Sequence, residues 1–194
     1  MNGESELLGA VARVVRVFDT LGIEYLVGGL IASSVFGEPR QTIDADLLAR
    51  VLGRHVQPLV ENLTPDFYIE AAAVLTAIQN QRSFNVIHLA TMAKVDVFVG
   101  WRTPFAESQF ERRQKKVLGQ EPIELFFASP EDTVLAKLEW FRKGGGISDR
   151  QWRDLLGVLK VQGERLDRDY LKDWADRLEL RQLLDRAIEE AGLN

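Results

Sequence analysis

A pair of aspartates inside an apolar strand constrains this chain more than any other feature. Residues 25–48, YLVGGLIASSVFGEPRQTIDADLL, indicate a strand, a turn at Gly28 and Gly29, a short helix, a basic loop and a second strand. Alternate side chains of a strand share one face, so Asp44 and Asp46 point the same way. Neighbouring carboxylates repel each other and are costly to desolvate. A divalent cation would remove that conflict, because hard oxygen ligands suit Mg²⁺.

A third aspartate stands in a comparable setting further along the chain. Asp96 lies in the apolar run 94–99, which the pattern predicts to be the second strand of a hairpin beginning at Ser83. The glycine pair has two interpretations. Glycine lets a phosphate approach backbone N–H groups, and a helix behind the turn adds a favourable dipole. The alternative is a tight turn that binds no ligand, because turns are the default use of glycine.

Together these residues resemble the signature of the nucleotidyltransferase superfamily with the DNA polymerase β-type fold. That signature is a Gly-Gly or Gly-Ser turn, a short helix, Asp-x-Asp on the next strand and a third carboxylate on a later strand. The resemblance implies an α/β (α+β) fold, with a mixed nucleotidyltransferase-type sheet flanked by helices. It also implies that two Mg²⁺ ions are bound by Asp44, Asp46 and Asp96, and that Gly28 and Gly29 hold the phosphates of a nucleoside triphosphate (NTP).

Three residues between the glycine turn and the aspartates are further candidates for nucleotide binding. The Ser33 hydroxyl can contact a phosphate, although a small packing residue of the short helix is the alternative. The Arg40 guanidinium suits a phosphate or a polynucleotide acceptor, and a solvated loop arginine is the alternative. Thr42 is predicted to share the face of the aspartates and to support them by a hydrogen bond.

The composition changes near residue 128, where a helical tail begins. The sequence therefore predicts a nucleotidyltransferase-fold domain over 1–127 and a C-terminal helical subdomain over 128–194 packed on it. The pattern Ser-Pro-Glu-Asp-x-x-x-x-Lys-Leu, followed by Arg-x-x-x-Asp-Leu, is similar to the C-terminal segments of AbiEii-type nucleotidyltransferase toxins and their uncharacterised relatives. This resemblance implies that Lys137 contacts the triphosphate and that Asp154 completes the site. We expect Lys137 to face the cleft that contains the aspartates.

Local patterns predict several other features. A first helix over 6–21 is expected to start at the capping residue Ser5 and to end at Gly22. His55 is expected on the surface. The basic segment 111–116 can contact the phosphates of an acceptor, but a solvated helix end followed by a strand is the alternative.

Composition excludes several classes of function. The 194-residue chain has no cysteine and only two histidines, far apart in sequence, which excludes disulfides and makes a zinc site unexpected. A net charge of −5 without a long basic run argues against non-specific nucleic-acid binding. No signal-like segment or run of membrane-spanning length is visible, so we expect a cytoplasmic protein without a membrane partner.

Three functional hypotheses follow from these residues. The first is an enzyme that moves a nucleoside monophosphate from an NTP to an acceptor hydroxyl on RNA such as tRNA, on a protein or on a small molecule such as an aminoglycoside. A toxin neutralised by a separate antitoxin protein is one form of this hypothesis. The second is a module of the same fold that binds a nucleotide or a partner without turnover. The third is a structural α/β protein whose aspartates are coincidental.

Overall fold

The computed structural model describes residues 3–100, 102–119 and 122–193, and within them it contains helices flanking one sheet. The helices are α1 (Gly3–Leu21), α2 (Gly29–Phe36), α3 (Val56–Leu63), α4 (Ala71–Asn80), α5 (Pro104–Glu111), α6 (Pro130–Lys143), α7 (Asp149–Gln162), α8 (Arg168–Arg177) and α9 (Arg181–Ala191). The strands are β1 (Tyr25–Val27), β2 (Asp44–Ala49), β3 (Phe67–Tyr68), β4 (Ser83–His88), β5 (Lys94–Phe98), β6 (Gln114–Leu118) and β7 (Ile123–Phe127). This arrangement confirms the predicted fold class.

The seven strands form a single mixed sheet in the order β3-β4-β5-β2-β1-β7-β6. Strand β2 lies at its centre, antiparallel to β1 and parallel to β5. Strand β5 also pairs antiparallel with β4, as the hairpin prediction requires, and β1 pairs parallel with β7. The parallel pairing of β2 and β5 joins strands that are distant in sequence, and it sets the geometry of the acidic residues.

The two faces of the central strands differ in polarity. Leu47 on β2 and Val95 and Val97 on β5 are fully buried, and α1 packs on both strands. The long helix brings Phe18 and other apolar side chains into the same core. Burial of one face follows from the period of two along each strand, and it leaves the alternate positions of β2 and β5 for polar side chains.

The chain divides into two compact units. The first unit consists of Met1–Gly28 and Gln41–Phe127 and contains the sheet with its flanking helices. The second unit consists of Gly29–Arg40 and Ala128–Asn194, so α2 clusters with the helices of the C-terminal tail.

Two glycines allow α2 and α7 to approach closely within the second unit. A Cβ atom at Gly37 would lie 2.7 Å from the backbone nitrogen of Val158 and 2.8 Å from the carbonyl carbon of Gly157. Gln162 strengthens this contact, since its side-chain amide donates a hydrogen bond to the carbonyl of Phe36 at 2.5 Å. The close approach fixes the loop after α2, which carries Arg40, against α7.

Two local predictions were wrong. Helix α1 begins at Gly3, so Ser5 lies inside the helix and does not cap it. His55 is buried, and its Nδ1 accepts a hydrogen bond from the backbone N–H of Leu52 at 3.1 Å. Burial, helped by the charge of Arg54, lowers the pKa of His55.

None of the helices in the described ranges combines the length and the apolar content that a bilayer crossing requires.

The glycine contact predicts opposite effects for two glycine-to-alanine substitutions. Gly37→Ala should lower the free energy of unfolding by about 1–3 kcal/mol, because the new methyl group meets backbone atoms that cannot turn away. Gly9→Ala is the matched control: it lies inside α1, and no atom lies within 4 Å of its added Cβ. It should raise stability by about 0.5–1 kcal/mol. Urea denaturation of both variants measures the difference, and equal stability of the two would contradict the close packing.

Candidate functional site

The register of β2 and β5 brings the three predicted aspartates onto one face of adjacent strands. Asp46 lies directly opposite Asp96, and Asp44 lies directly opposite Lys94. All four are partly exposed, whereas the residues between them are buried. The prediction that Asp44 and Asp46 share a face is therefore confirmed, and Asp96 joins them from a strand about fifty residues later. We refer to these four side chains as the acidic array.

Lys94 supplies the positive charge of the acidic array. Its Nζ lies 2.9 Å from Oδ2 of Asp96 and 3.9 Å from Oδ1 of Asp44. The hydrogen bond to Asp96 is the main reason why the pKa of Lys94 is raised, and the charges of Asp44 and Asp46 add to it against the opposing effect of burial. The protein thus holds an ammonium group among carboxylates that would otherwise repel one another.

Sequence reasoning missed Lys94 and one further residue on this face. Asn85 of β4 is exposed and lies opposite Asp96 in the antiparallel register, which makes a cross-strand row of Asp46, Asp96 and Asn85. The signal for Lys94 was available: it precedes Asp96 by two positions and must share its face in any strand. The signal for Asn85 was not, because its place depends on the register of the hairpin.

The residues around β2 hold the aspartates through the backbone. The Thr42 hydroxyl donates to the carbonyl of Asp44 at 2.9 Å and accepts from its N–H at 3.3 Å. The N–H of Gly28 donates to the carbonyl of Asp46 at 2.9 Å. That N–H is engaged within the sheet, and the next residue, Gly29, has a φ of 58° and begins α2.

The second unit brings together three residues that were predicted from separate motifs. Asp154 of α7 lies 2.6 Å from the guanidinium of Arg40 and 3.4 Å from Nζ of Lys137 on α6. The side chain of Asp154 is only 5% exposed and that of Lys137 only 11%, whereas Arg40 is 36% exposed. We refer to these three residues as the cationic cluster. It consists of two cations and one buried carboxylate.

Two serines of α2 have different roles. Ser34 fixes the backbone of Arg40, because its hydroxyl donates to the Arg40 carbonyl at 3.3 Å and accepts from the Arg40 N–H at 3.2 Å. Ser33 is buried, and its hydroxyl donates to the carbonyls of Gly29 and Leu30 in the same helix. This geometry matches the packing alternative for Ser33.

The donor chemistry of the acidic array fits Mg²⁺, since carboxylate oxygens on one face are the ligands that this ion prefers. The array is not a preassembled metal cluster: within the described residues, no three or more His, Cys, Asp and Glu side chains are arranged to hold an ion. The ammonium of Lys94 is bound to Asp96 and lies near Asp44, so these carboxylates already have a cationic partner.

The basic segment predicted to contact an acceptor is paired with acids of its own unit. Arg113 contacts Glu24 at 3.0 Å, and Lys115 on β6 contacts Glu124 on β7 at 2.9 Å. The segment runs from the end of α5 into strand β6, which is the helix end followed by a strand that the alternative interpretation of the sequence predicts. Two of the four cations of this segment therefore have acidic partners.

Comparison with known proteins identifies the fold. The solution structure of the antibiotic-resistance factor ANT(2'')-Ia is similar to this chain with a TM-score of 0.57 and 14% identity, covering 97% of this chain and 95% of that one. The crystal structure of an antigenic nucleotidyltransferase-like protein from Paracoccidioides brasiliensis gives a TM-score of 0.54 and 16% identity, covering 95% and 92%. No family model and no curated protein matches the sequence. The expected nucleotidyltransferase-type fold is confirmed, whereas the AbiEii resemblance stays a prediction.

The geometry of the cationic cluster predicts the effect of removing its carboxylate charge. Asp154→Asn should lower the free energy of unfolding by about 1–3 kcal/mol, because hydrogen bonds to charged groups contribute that much when they are buried. Asp173→Asn is the matched control, since its ion pair with Arg177 on α8 is exposed and should contribute less than about 1 kcal/mol. Urea denaturation of both variants checks this, and equal destabilisation would contradict the structural role of Asp154.

Proposed function

We propose that this protein is a metal-dependent nucleotidyltransferase that moves a nucleoside monophosphate from an NTP to an acceptor hydroxyl. The observation that carries the proposal is the register that places Asp44, Asp46 and Asp96 on one face of adjacent strands. The fold shared with a nucleotidyltransferase-like protein supports it.

The three aspartates are the residues that would hold Mg²⁺, with two ions as the expected number. Such ions, when bound, offset the charge of the phosphates and lower the pKa of a bound hydroxyl. The contribution of the protein itself is to position these carboxylates. The strands that carry the aspartates are anchored by a fully buried opposite face, and the hydrogen bonds of Thr42 and Gly28 fix the backbone of β2. Rigid positioning of this kind is the main contribution of a protein to phosphoryl transfer.

In the second unit we assign Arg40 and Lys137 to the triphosphate. A guanidinium and an ammonium complement phosphate oxygens. Asp154 would orient both cations without touching the nucleotide. Gly29 would donate its backbone N–H at the N-terminus of α2, where the helix dipole favours negative charge. Ser33 is bonded within its helix and is given no role.

The proposed reaction accounts for every bond that forms or breaks. The acceptor oxygen attacks the α-phosphorus of the NTP and forms a new phosphoester bond. The bond between the α-phosphorus and the bridging oxygen of the β-phosphate breaks, and pyrophosphate leaves. The proton of the acceptor hydroxyl is released to solvent. Negative charge grows on the departing pyrophosphate, which is where the charges of Lys137 and Arg40 would stabilise the transition state.

A hydroxyl-bearing small molecule is the acceptor class that the surface charges favour. The protein has a net charge of −5, and Arg113 and Lys115 of its basic segment are paired with Glu24 and Glu124. The net negative charge of the protein and these two ion pairs work against a polyanionic acceptor such as tRNA. One similar structure is that of an antibiotic-resistance factor, which fits the same class. The toxin hypothesis, with tRNA or a protein as acceptor and an antitoxin as partner, rests on the sequence resemblance.

The direct test is to incubate the protein with each α-labelled NTP and Mg²⁺, adding in turn a panel of aminoglycosides, total tRNA and a protein extract. Label on a small molecule, with equimolar pyrophosphate, is the expected result. Label on tRNA or protein would contradict the acceptor assignment but would still support nucleotidyl transfer. Nucleotide binding without pyrophosphate release under every condition would establish the alternative, a non-catalytic module.

Asp46→Asn tests the acidic array. The substitution is nearly isosteric and removes one of three crowded carboxylate charges, so the fold should persist with equal or slightly higher stability without Mg²⁺. Pyrophosphate release should fall by about a thousandfold, because a bound divalent ion is worth several kcal/mol to the transition state. Glu124→Gln, an exposed acid on β7, is the control and should keep full activity. An active Asp46→Asn enzyme would remove Asp46 from the site.

Lys137→Ala tests the cationic cluster. Loss of a charged contact to the triphosphate should lower kcat/KM for the NTP by about 10- to 100-fold. Lys143→Ala is the control: Lys143 lies on the same helix, and its exposed ammonium contacts Glu139 and the ring of Trp140 on that helix, so the kinetics should be unchanged. Turnover at limiting and saturating NTP, with a thermal melt for each variant, separates a binding effect from unfolding. Identical kinetics for the two variants would leave Lys137 a structural residue.

A further inference from the structure

The acidic array has a resident cation, and its position has a consequence for metal binding. The Nζ of Lys94 lies at hydrogen-bond distance from an oxygen of Asp96, a residue that the proposed function assigns to the divalent ion. The same ammonium lies 3.9 Å from Asp44 on the neighbouring strand. A divalent ion bound by these carboxylates would compete with the ammonium, in its present place, for the same oxygen of Asp96.

The contact differs from an ordinary surface ion pair. The Asp96 side chain is only 18% exposed, so solvent screens its charge less than that of a fully exposed acid. The register gives Lys94 no alternative face, because it lies two positions before Asp96 on the same strand and directly opposite Asp44. Lysine also has a long flexible stem, which allows the ammonium to move away without a change in the backbone.

We propose that Lys94 is an exchangeable counter-cation of the acidic array: its ammonium neutralises part of the carboxylate charge, and a divalent ion binds by displacing it from Asp96. The inference rests on the proposed function for the assignment of the three aspartates to the ion. Two effects follow. Lys94 stabilises the metal-free protein, and it weakens the affinity for a divalent ion, since part of the binding energy is used to break its contact.

Lys94→Met separates these effects from the general loss of one positive charge. Methionine keeps most of the stem and removes the ammonium. Lys115→Met is the matched control, because its ammonium also lies 2.9 Å from a carboxylate, that of Glu124, across two neighbouring strands of the same sheet. Circular dichroism should show both variants folded at the start of the titration.

The first measurement is the affinity for Mn²⁺ without nucleotide or acceptor, followed by the electron paramagnetic resonance signal of the free ion. Lys94→Met should bind Mn²⁺ at least about tenfold more tightly than the wild-type protein, in line with the loss of a competing contact between opposite charges. Lys115→Met should bind as the wild type does. Adding Asp46→Asn to Lys94→Met should abolish the gain, because the ion then loses a ligand of the array.

The second measurement is thermal unfolding in EDTA and in Mn²⁺. In EDTA, Lys94→Met should unfold at a lower temperature than the wild type, because the carboxylates lose their cation. Mn²⁺ should raise its melting temperature by more than that of the wild type. Unchanged or weaker Mn²⁺ binding by Lys94→Met, a gain equal to that of Lys115→Met, or no Mn²⁺ binding by any variant at millimolar concentration would each overturn the exchange.

These measurements stand apart from the test of the proposed function. They require no turnover. If the protein is inactive but Lys94→Met binds Mn²⁺ more tightly, the result supports the cation exchange and contradicts the proposed enzymatic function. If the protein is active but its Mn²⁺ affinity does not depend on Lys94, the result supports the enzymatic function and contradicts the exchange.

Discussion

The parallel pairing of β2 with β5 is the constraint on which the acidic site depends. It joins two strands between which the chain forms α3, β3, α4 and β4, and its register sets Asp46 beside Asp96 and Asp44 beside Lys94. A slip of one residue would turn one strand's polar side chains into the core and its apolar ones outward. The buried face, which packs against α1, therefore enforces the placement of the charges on the other face.

Charged residues cluster in each of the two compact units. In the first unit, the ammonium of Lys94 contacts Asp96 and lies near Asp44, and Asp46 shares the same face. In the second unit, Arg40 and Lys137 both contact the carboxylate of Asp154, whose side chain is only 5% exposed. Each unit thus places charges of opposite sign within contact distance of one another.

Much of the fold and part of the site were predictable because they follow from local periodicity. Alternation along a strand is sufficient to place Asp44 and Asp46 on one face and to mark Asp96 as anomalous in an apolar run. The helices of the tail follow from caps and apolar spacing, as at Ser129, whose side chain accepts from the N–H of Asp132. The incorrect predictions concern residues whose contacts override a local pattern. His55 is buried, and its ring nitrogen accepts a hydrogen bond from the backbone N–H of Leu52.

The sequence by itself determined the residue types of the site and the face that each one shares with its near neighbours, since these depend on backbone periodicity alone. Only the tertiary structure decided which faces meet. Strand register placed Lys94, which shares a strand and a face with Asp96, directly opposite Asp44, so that its ammonium neutralises part of the charge of the three carboxylates. The backbone contact at Gly37 fixed the loop that carries Arg40, which joins Lys137 around the buried Asp154. Contacts of this kind depend on packing between segments far apart in the chain, and no local pattern encodes them.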